Sequence, residues 1–225
     1  MSSLPLLSLL ILAPWAGALV LAFMGNAGAK ASRSVTLLFS LSTLALGLAA
    51  LSGFDPAATG PQFSESHTWI RALNVRYHLG LDGMSLLLVL LTGIVSPLAL
   101  LSGWKNGRDV HLFGALFLLL QGAALGVFLA LDFFPWFLFW ELSLVPAYFL
   151  IRLWGGPGGT AAAYQFVVYT IGGSAFMLLG FAALFAATGT MDFRELAALA
   201  ADGRLAKVIP GVAGTAIFVL SLIHI

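Results

Sequence analysis

Long apolar runs, separated by short links that carry most of the charge, limit what this chain can fold into. Of its 225 residues, 60% are hydrophobic and 8% are charged. One soluble core cannot bury that much apolar surface, and several of the runs are long enough to cross a bilayer. The sequence therefore predicts an all-α, polytopic membrane protein, a bundle of about seven transmembrane helices.

The apolar runs also suggest how the chain is divided. Candidate spans cover residues 4–24, 35–53, 81–104, 110–131, 133–156 and 162–187, and a seventh begins at Pro210. We group them as an N-terminal helix pair over 1–53, an extramembrane loop over 54–80 and a membrane bundle over 81–225. No basic residue precedes Lys30, so the first run is predicted to be a retained helix rather than a signal peptide. We expect the chain to end within its seventh span.

One carboxylate, Glu141, lies near the middle of the fifth span. Between Asp132 and Arg152 no other residue has an acidic or basic side chain. A charge in the centre of a bilayer costs at least about 3 kcal/mol, so acids there usually face a cavity or a partner and mark a transport route. We predict that Glu141 transfers protons. The alternative is a neutral side chain that hydrogen-bonds a neighbouring helix.

The surroundings of Glu141 favour transport. Pro146 cannot donate to the carbonyl of Leu142, which predicts a kinked or locally opened helix one turn beyond the acid. Side chains with hydroxyl groups on the fifth and sixth spans are candidates for a polar path; these are Tyr148, Tyr169, Thr170 and Ser174. The alternative is that they hydrogen-bond between helices, as such side chains commonly do in membranes.

Polar residues elsewhere suggest structural roles. Asp82 and Asp192 each stand where they can cap a following helix. His67 and His78 are eleven residues apart in the loop over 54–80, with no cysteine nearby, so we predict no metal site. Gly122 and Gly126 permit close helix contact in the fourth span, and the neighbouring Gln121 is predicted to hydrogen-bond across that contact.

Charge and cysteine content exclude several classes of protein. The net charge is +1, which gives no basic field for nucleic acid, and no nucleic-acid partner is expected. The chain has no cysteine, so it forms no disulfide and supplies no thiolate to a metal or an iron–sulfur cluster. Any redox cofactor must then belong to another subunit.

Basic residues in short links predict the orientation. With alternating spans, one side of the membrane receives Lys30, Arg33, Lys105, Arg108 and Arg152. Because these links are very short, the positive-inside rule assigns them to the cytoplasmic or matrix face. The N-terminus is then predicted to lie outside.

Three stretches go beyond composition. They read YHLGLDGMSLLLVLLTG at 77–93, GVFLALDFFPWFLFWELSLVPAYFLIRLWGG at 126–156 and FVVYTIGGSAFMLLGFAALFAATGT at 166–190. Together they closely resemble the M-type antiporter-like subunit, or chain 4, of proton-translocating NADH:quinone oxidoreductase, respiratory complex I. The resemblance runs along the whole chain but covers only about the N-terminal half of a family member.

The resemblance implies a function for the chain. It implies a membrane subunit that translocates protons in response to quinone reduction elsewhere in the complex, with Glu141 in the position of the family's proton-channel carboxylate. NADH, FMN, iron–sulfur clusters and quinone are expected on partner subunits and none on this chain. The expected partners are the other membrane subunits of complex I and the lipid bilayer, in a bacterial inner membrane. The alternative is a subunit of a multisubunit cation/proton antiporter.

The seventh span departs from the family pattern. In the family, the acid is thought to work with a lysine on a broken seventh helix, yet residues 208–225 contain no lysine. The terminal SLIHI also differs from the family's continuation. We therefore expect a truncated half of an antiporter-like, inverted-repeat fold.

Overall fold

The computed structural model describes residues 5–25, 28–104, 107–204 and 207. The described residues form seven helices and one β-hairpin, and six of the helices are long and apolar enough to cross a membrane. In chain order the elements are α1 Leu6–Met24, α2 Ala29–Ser52, β1 Gln62–Ile70, a 3₁₀ turn Arg71–Leu73, β2 Val75–Leu81, α3 Gly83–Ser102, α4 Val110–Leu129, α5 Phe133–Trp154, α6 Gly159–Thr188 and α7 Phe193–Ala201. The predicted class, a polytopic helical bundle, is confirmed. The seventh predicted span lies outside the described residues.

Aspartate side chains cap the first turn of three of the helices. Asp82 accepts from the backbone N–H of Ser85 at 2.8 Å and forms a reciprocal capping box with it, and this hydrogen bond lowers the pKa of Asp82. Asp192 accepts from the first turn of α7. Both predicted caps are confirmed. Asp132 likewise caps α5 by accepting from Phe134 N at 3.0 Å, a role that the sequence analysis did not assign.

Helix α4 lies in the centre of the bundle and packs against α1, α2, α3 and α5. Its two glycines allow the closest approaches: Gly122 faces the indole of Trp15 on α1, and Gly126 faces the ring of Phe139 on α5. This confirms the predicted close contact. The predicted hydrogen bond is wrong, because the amide of Gln121 is buried and neither of its polar atoms has a partner within the described residues.

The polar stretch predicted as a loop contains an antiparallel β-hairpin. Strand β1 pairs with β2, with Glu65 opposite Leu79, and the turn passes through Asn74 in the left-handed conformation (φ 49°). The hairpin continues into the connections between helices, since Leu79 forms a β-bridge with Ala130 and Leu131 N donates to His78 O at 2.8 Å. These pairings join residues about 50 apart in sequence, so no local pattern could reveal them.

The hairpin also holds the start of α1. The Glu65 carboxylate accepts from Leu7 N at 2.7 Å and from Ser8 N at 3.2 Å, so a strand residue caps a helix 57 residues away in sequence. The Tyr77 hydroxyl lies 3.0 Å from Ser8 Oγ. Burial raises the pKa of Tyr77, the hydrogen bond with Ser8 opposes that rise, and the charge of Glu65 adds to it.

Removal of this remote cap should loosen α1. We expect Glu65→Ala to lower the free energy of unfolding by about 1–2 kcal/mol, because the first amides of α1 lose their acceptor and a favourable negative charge. Thermal unfolding in detergent measures the effect. Ser66→Ala, on the exposed part of the same strand, is the control, and equal midpoints for the two variants would contradict the capping role.

The two ends of the bundle differ in chemistry. At the end that we call the arginine end, Arg33 lies 5.8 Å from the ring centre of Trp104, and Arg108 donates to Leu153 O at 3.0 Å. Arg152 lies in the last turn of α5 at the same end. The other end, which we call the hairpin end, contains the N-terminus of α1 and the three capping aspartates. Of the basic residues predicted to share this side, Lys105 lies outside the described residues and the other four do share it, although Lys30 and Arg33 lie inside α2 rather than in a link.

Candidate functional site

Glu141 lies in the middle of α5, which is helical without a break from Phe133 to Trp154. No interruption of the helix is therefore observed at Pro146, and the kink that was expected as the alternative stays a prediction. The Glu141 side chain is half-buried, and its Oε1 atom is fully buried without a hydrogen-bond partner among the described residues. An unpaired buried acceptor costs about 1–3 kcal/mol, more when it is charged. Such an atom calls for an explanation, for which bound water and a catalytic role are two candidates.

A cleft of about 460 Å³ opens between α5 and α6 beside this carboxylate. The residues that line it are Glu141, Leu144, Val145, Tyr148, Phe149, Tyr164, Val167, Val168 and Ile171. Three of them have ionisable side chains and the rest are apolar. The cleft has room for several water molecules at about 30 Å³ each, and its polar groups offer them partners.

Tyr148 joins the cleft to the arginine end. Arg152 Nη1 donates to the Tyr148 hydroxyl oxygen at 3.2 Å, and the guanidinium lies 5.8 Å from the centre of the ring. Because the hydroxyl oxygen accepts from Arg152, its own proton remains available for donation. The arrangement sets a hydrogen-bond donor two helical turns from Glu141, within the same cleft.

The other predicted path residues do not line this cleft. Tyr169 is 78% exposed, Thr170 Oγ1 donates to Phe166 O at 2.6 Å, and Ser174 is buried with an Oγ atom that has no partner in the described part of the chain. Tyr164 lines the cleft instead, although the sequence analysis did not select it. Five residues separate Tyr164 from Tyr169, which turns them roughly 140° apart around α6, so only one of them can face α5.

An aromatic cluster packs on the hairpin side of Glu141. Its centre is Phe133, Met177 and Met191, and the rings around it include Trp136, Phe137, Phe181 and Phe193. Phe133 is fully buried and stacks on Phe181 with ring centroids 3.5 Å apart and planes 8° apart. The first two turns of α5 thus form an apolar plug between Glu141 and the hairpin end.

The site contains no cluster of metal ligands. Across residues 5–25, 28–104, 107–204 and 207, no group of three or more His, Asp or Glu side chains is arranged to hold an ion. The residues that line the cleft offer one carboxyl group and two phenol hydroxyl groups for hydrogen bonding.

Comparison with known proteins shows which proteins this chain is similar to. Residues 130–223 match the NADH:quinone oxidoreductase/Mrp antiporter transmembrane family. Over 202 residues the chain is 44% identical to F(420)H(2) dehydrogenase subunit M of Methanosarcina mazei, covering 87% of this chain and 40% of that protein. It is 39% identical to NADH-quinone oxidoreductase subunit M of Rhodobacter capsulatus, covering 85% of this chain and 38% of that protein.

Solved structures have the same fold. A chain of respiratory complex I from Thermus thermophilus aligns with a TM-score of 0.73 and 28% identity, over 85% of this chain and 39% of that one. A chain of the archaeal membrane-bound sulfane sulfur reductase aligns with a TM-score of 0.80 and 23% identity, over 98% and 44%. A chain of the Mrp complex from Dietzia aligns with a TM-score of 0.76 and 22% identity, over 97% and 23%.

The fold and the matches define the class first: the chain is an integral membrane protein with the helical fold of complex I and Mrp membrane subunits. Within that class, the predicted resemblance to the M-type, or chain 4, antiporter-like subunits is confirmed over most of the chain. The chain spans about two fifths of the length of the curated relatives described above. Those relatives are subunits of multisubunit enzyme complexes.

Proposed function

We propose that this chain is part of a membrane subunit of an NADH:quinone oxidoreductase that translocates protons, with Glu141 as the carboxylate that binds and releases them. The observation that supports this most directly is the half-buried Glu141, whose Oε1 atom has no partner among the described residues and whose side chain lines a cleft with two tyrosines. A carboxylate in that position can take up a proton without first breaking an existing hydrogen bond at that oxygen. A carboxylate is energetically unfavourable in a membrane helix, and proton transfer by Glu141 explains why one is present there.

In this proposal the proton enters the protein from the arginine end. Tyr148 lies seven residues from Glu141, roughly 10 Å along α5, so water in the cleft is needed to connect them. Arg152 orients the Tyr148 hydroxyl, and Tyr148 and Tyr164 order the water that carries the proton to Glu141. The aromatic cluster keeps the same water from reaching the hairpin end.

In this proposal, redox reactions on partner subunits supply the free energy that drives proton transfer through this chain. With no cysteine, this chain cannot ligate an iron–sulfur cluster through thiolates. We propose that NADH, FMN, iron–sulfur clusters and quinone are bound elsewhere in the complex and that the chain contacts other membrane subunits and lipid. We also propose a bacterial inner membrane, with the arginine end on the cytoplasmic side and the N-terminus outside.

A second candidate is a subunit of a multisubunit cation/proton antiporter. The match to a chain of the Mrp complex and the family model, which includes Mrp antiporters, favour it. Purification of the intact complex separates the two. Partners that contain flavin and iron–sulfur clusters support the oxidoreductase, whereas partners that are all small membrane proteins without redox groups support the antiporter.

The test of the proton role is Glu141→Gln in the intact complex, reconstituted in vesicles. We expect proton transfer through this subunit to slow by on the order of 100-fold, since the amide cannot accept and return a proton. The measurement is the number of protons moved per electron, which should fall by the number that this subunit translocates. Glu141→Asp should retain part of that share because it keeps a carboxylate.

The matched control is Asp55→Asn, the same chemical change on an exposed residue, where the amide oxygen can still accept from Ala57 N. It should pump as the unaltered complex does. An unchanged proton-to-electron ratio in Glu141→Gln, with the complex fully assembled, would refute the proposed function.

A further inference from the structure

A small cavity at the arginine end, separate from the Glu141 cleft, is lined by basic and aromatic side chains. It has a volume of about 60 Å³ and lies where α2 and α4 begin and where α3 and α5 end. Its lining includes two arginines, two tryptophans, a threonine and a glycine, namely Arg33, Arg108, Trp104, Trp154, Thr36 and Gly114. Tryptophan is enriched where a membrane helix meets the lipid headgroups, so the cavity lies at headgroup level.

Neighbouring groups hold both arginines of the cavity in place. The Arg33 guanidinium lies 5.8 Å from the ring centre of Trp104, and Arg108 donates to Leu153 O at 3.0 Å. Trp154 Nε1 donates to Arg108 O at 3.2 Å, which ties the start of α4 to the end of α5. A ring face and a carbonyl oxygen carry no full negative charge, so these contacts orient the guanidinium groups without neutralising them.

The charge around the cavity is positive. The Asp109 carboxylate lies 3.8 Å from Arg108 Nε, but both side chains are more than half exposed, and an exposed pair at that distance is weak. Asp109 also gives no side-chain hydrogen bond to the first turn of α4, whose N-terminus adds a partial positive charge. The basic side chains described at this end are Lys30, Arg33, Arg108 and Arg152, against the single described acid Asp109. The cavity therefore attracts an anion.

The size and lining of the cavity suit a phosphate group. Its volume equals roughly that of two water molecules at about 30 Å³ each, which admits a compact polar group but no acyl chain. Gly114 lies against Thr36, and a Cβ atom at that glycine would overlap the Thr36 hydroxyl. The planar guanidinium group of arginine matches the oxygen geometry of phosphate.

An exposed apolar surface adjoins the cavity on α2 and α3. The two helices are close neighbours, because Gly93 on α3 packs tightly against Leu44 on α2. Their exposed leucines include Leu38, Leu41 and Leu48 on α2 and Leu91, Leu98 and Leu101 on α3. A lipid whose headgroup is held in the cavity can therefore lay its acyl chains along the same pair of helices.

We infer that this cavity binds the phosphate group of an anionic phospholipid from the leaflet at the arginine end. Arg33 and Arg108 bind the phosphate oxygens, and the acyl chains lie on the exposed faces of α2 and α3. Basic cavities between membrane helices bind anionic headgroups in this way. The inference needs a membrane-embedded chain and does not depend on the role of Glu141.

Photochemical labelling of the intact, unaltered complex is the first test. Vesicles contain a trace of phosphatidylglycerol with a diazirine on its acyl chain close to the glycerol, and mass spectrometry locates the adducts after illumination. We expect adducts within residues 33–41 and 98–104, at least about fivefold above those from phosphatidylcholine with the same chains. Residues 19–23, exposed at the same end of α1, are the reference and should react equally with both lipids. Equal labelling of residues 98–104 by the two lipids would overturn the inference.

Variants then test the arginines. Arg33→Gln and Arg108→Gln should each lower labelling by phosphatidylglycerol about fivefold, whereas Arg33→Lys should retain most of it because the charge is kept. Lys30→Gln is the matched control, since it removes the same charge from the same end of α2 but does not line the cavity. It should label as the unaltered complex does. An equal loss in Lys30→Gln and Arg33→Gln would show a diffuse surface attraction and refute the site.

Competition separates a lipid from a dissolved anion. An excess of inorganic phosphate should leave the adducts unchanged, because the acyl chains add contacts that a dissolved ion lacks. Loss of the adducts in phosphate would show that the cavity takes the dissolved ion and would overturn the lipid assignment. Glu141→Gln should label normally, so the outcome for the lipid site is read independently of the outcome for proton transfer.

Discussion

Replacement of Phe133 by alanine is expected to lower the free energy of unfolding by about 3–5 kcal/mol, the range for removal of a fully buried aromatic ring. Phe133 is 0% exposed and stacks on Phe181 and on Trp136. Its ring also lies tilted against Phe137 and meets Phe193 edge-on. Its loss leaves a cavity where α5, α6 and α7 meet. Chemical denaturation of the purified protein in detergent measures the change.

Phe176→Ala on α6 is the control for this prediction, because that ring is 48% exposed and lies outside the cluster. It should cost less than 1 kcal/mol in detergent, since little buried surface is lost. Similar losses in the two variants would show that the aromatic cluster does not stabilise the junction of these helices. The Phe133→Ala vesicles should also leak protons passively, because the apolar plug beside Glu141 is opened.

Gly126→Ala is expected to destabilise the bundle by about 1–3 kcal/mol through overpacking, although alanine is the better helix former. A Cβ atom at this position would overlap the ring of Phe139, which lies on the neighbouring helix and is 9% exposed. Either the ring must leave its position or α4 and α5 must separate. Thermal unfolding in detergent is the measurement.

Gly172→Ala tests whether the effect comes from contact rather than from glycine itself. A Cβ atom at Gly172 meets no described atom within 4 Å, so this variant should be neutral or up to about 1 kcal/mol more stable. The prediction is therefore a difference of sign between two identical substitutions in membrane helices. Destabilisation of both variants by the same amount would contradict the proposed contact.

The sequence predicted those features that depend on local chemistry. Apolar length located six spans, aspartates at helix starts located the caps at Asp82 and Asp192, and the pair of glycines located the close contacts of α4. Each of these signals lies within the segment that it describes. That is why the bundle could be predicted without knowledge of how its helices meet.

Features that depend on distant partners were missed. The hairpin pairs with connections about 50 and 110 residues further along, so His78 looked like an ordinary loop residue although it lies against Asp192. Tyr164 and Tyr169 have equal polarity, and only the rotation of α6 decides which one faces Glu141. The start of α2 was placed too late because Lys30 and Arg33 interrupt the apolar pattern but not the helix.

The β-bridge between Asp132 and Asp192 fixes α5 at one end, with consequences for how that helix can move. Because α5 is held at its start, a tilt displaces its C-terminal end the most. With a rise of about 1.5 Å per residue, a tilt of about 5° around Phe133 displaces Glu141 by roughly 1 Å and Trp154 by roughly 3 Å. The cleft beside Tyr148, roughly 22 Å from Phe133, can therefore widen or narrow by roughly 2 Å, about twice the displacement of the carboxylate.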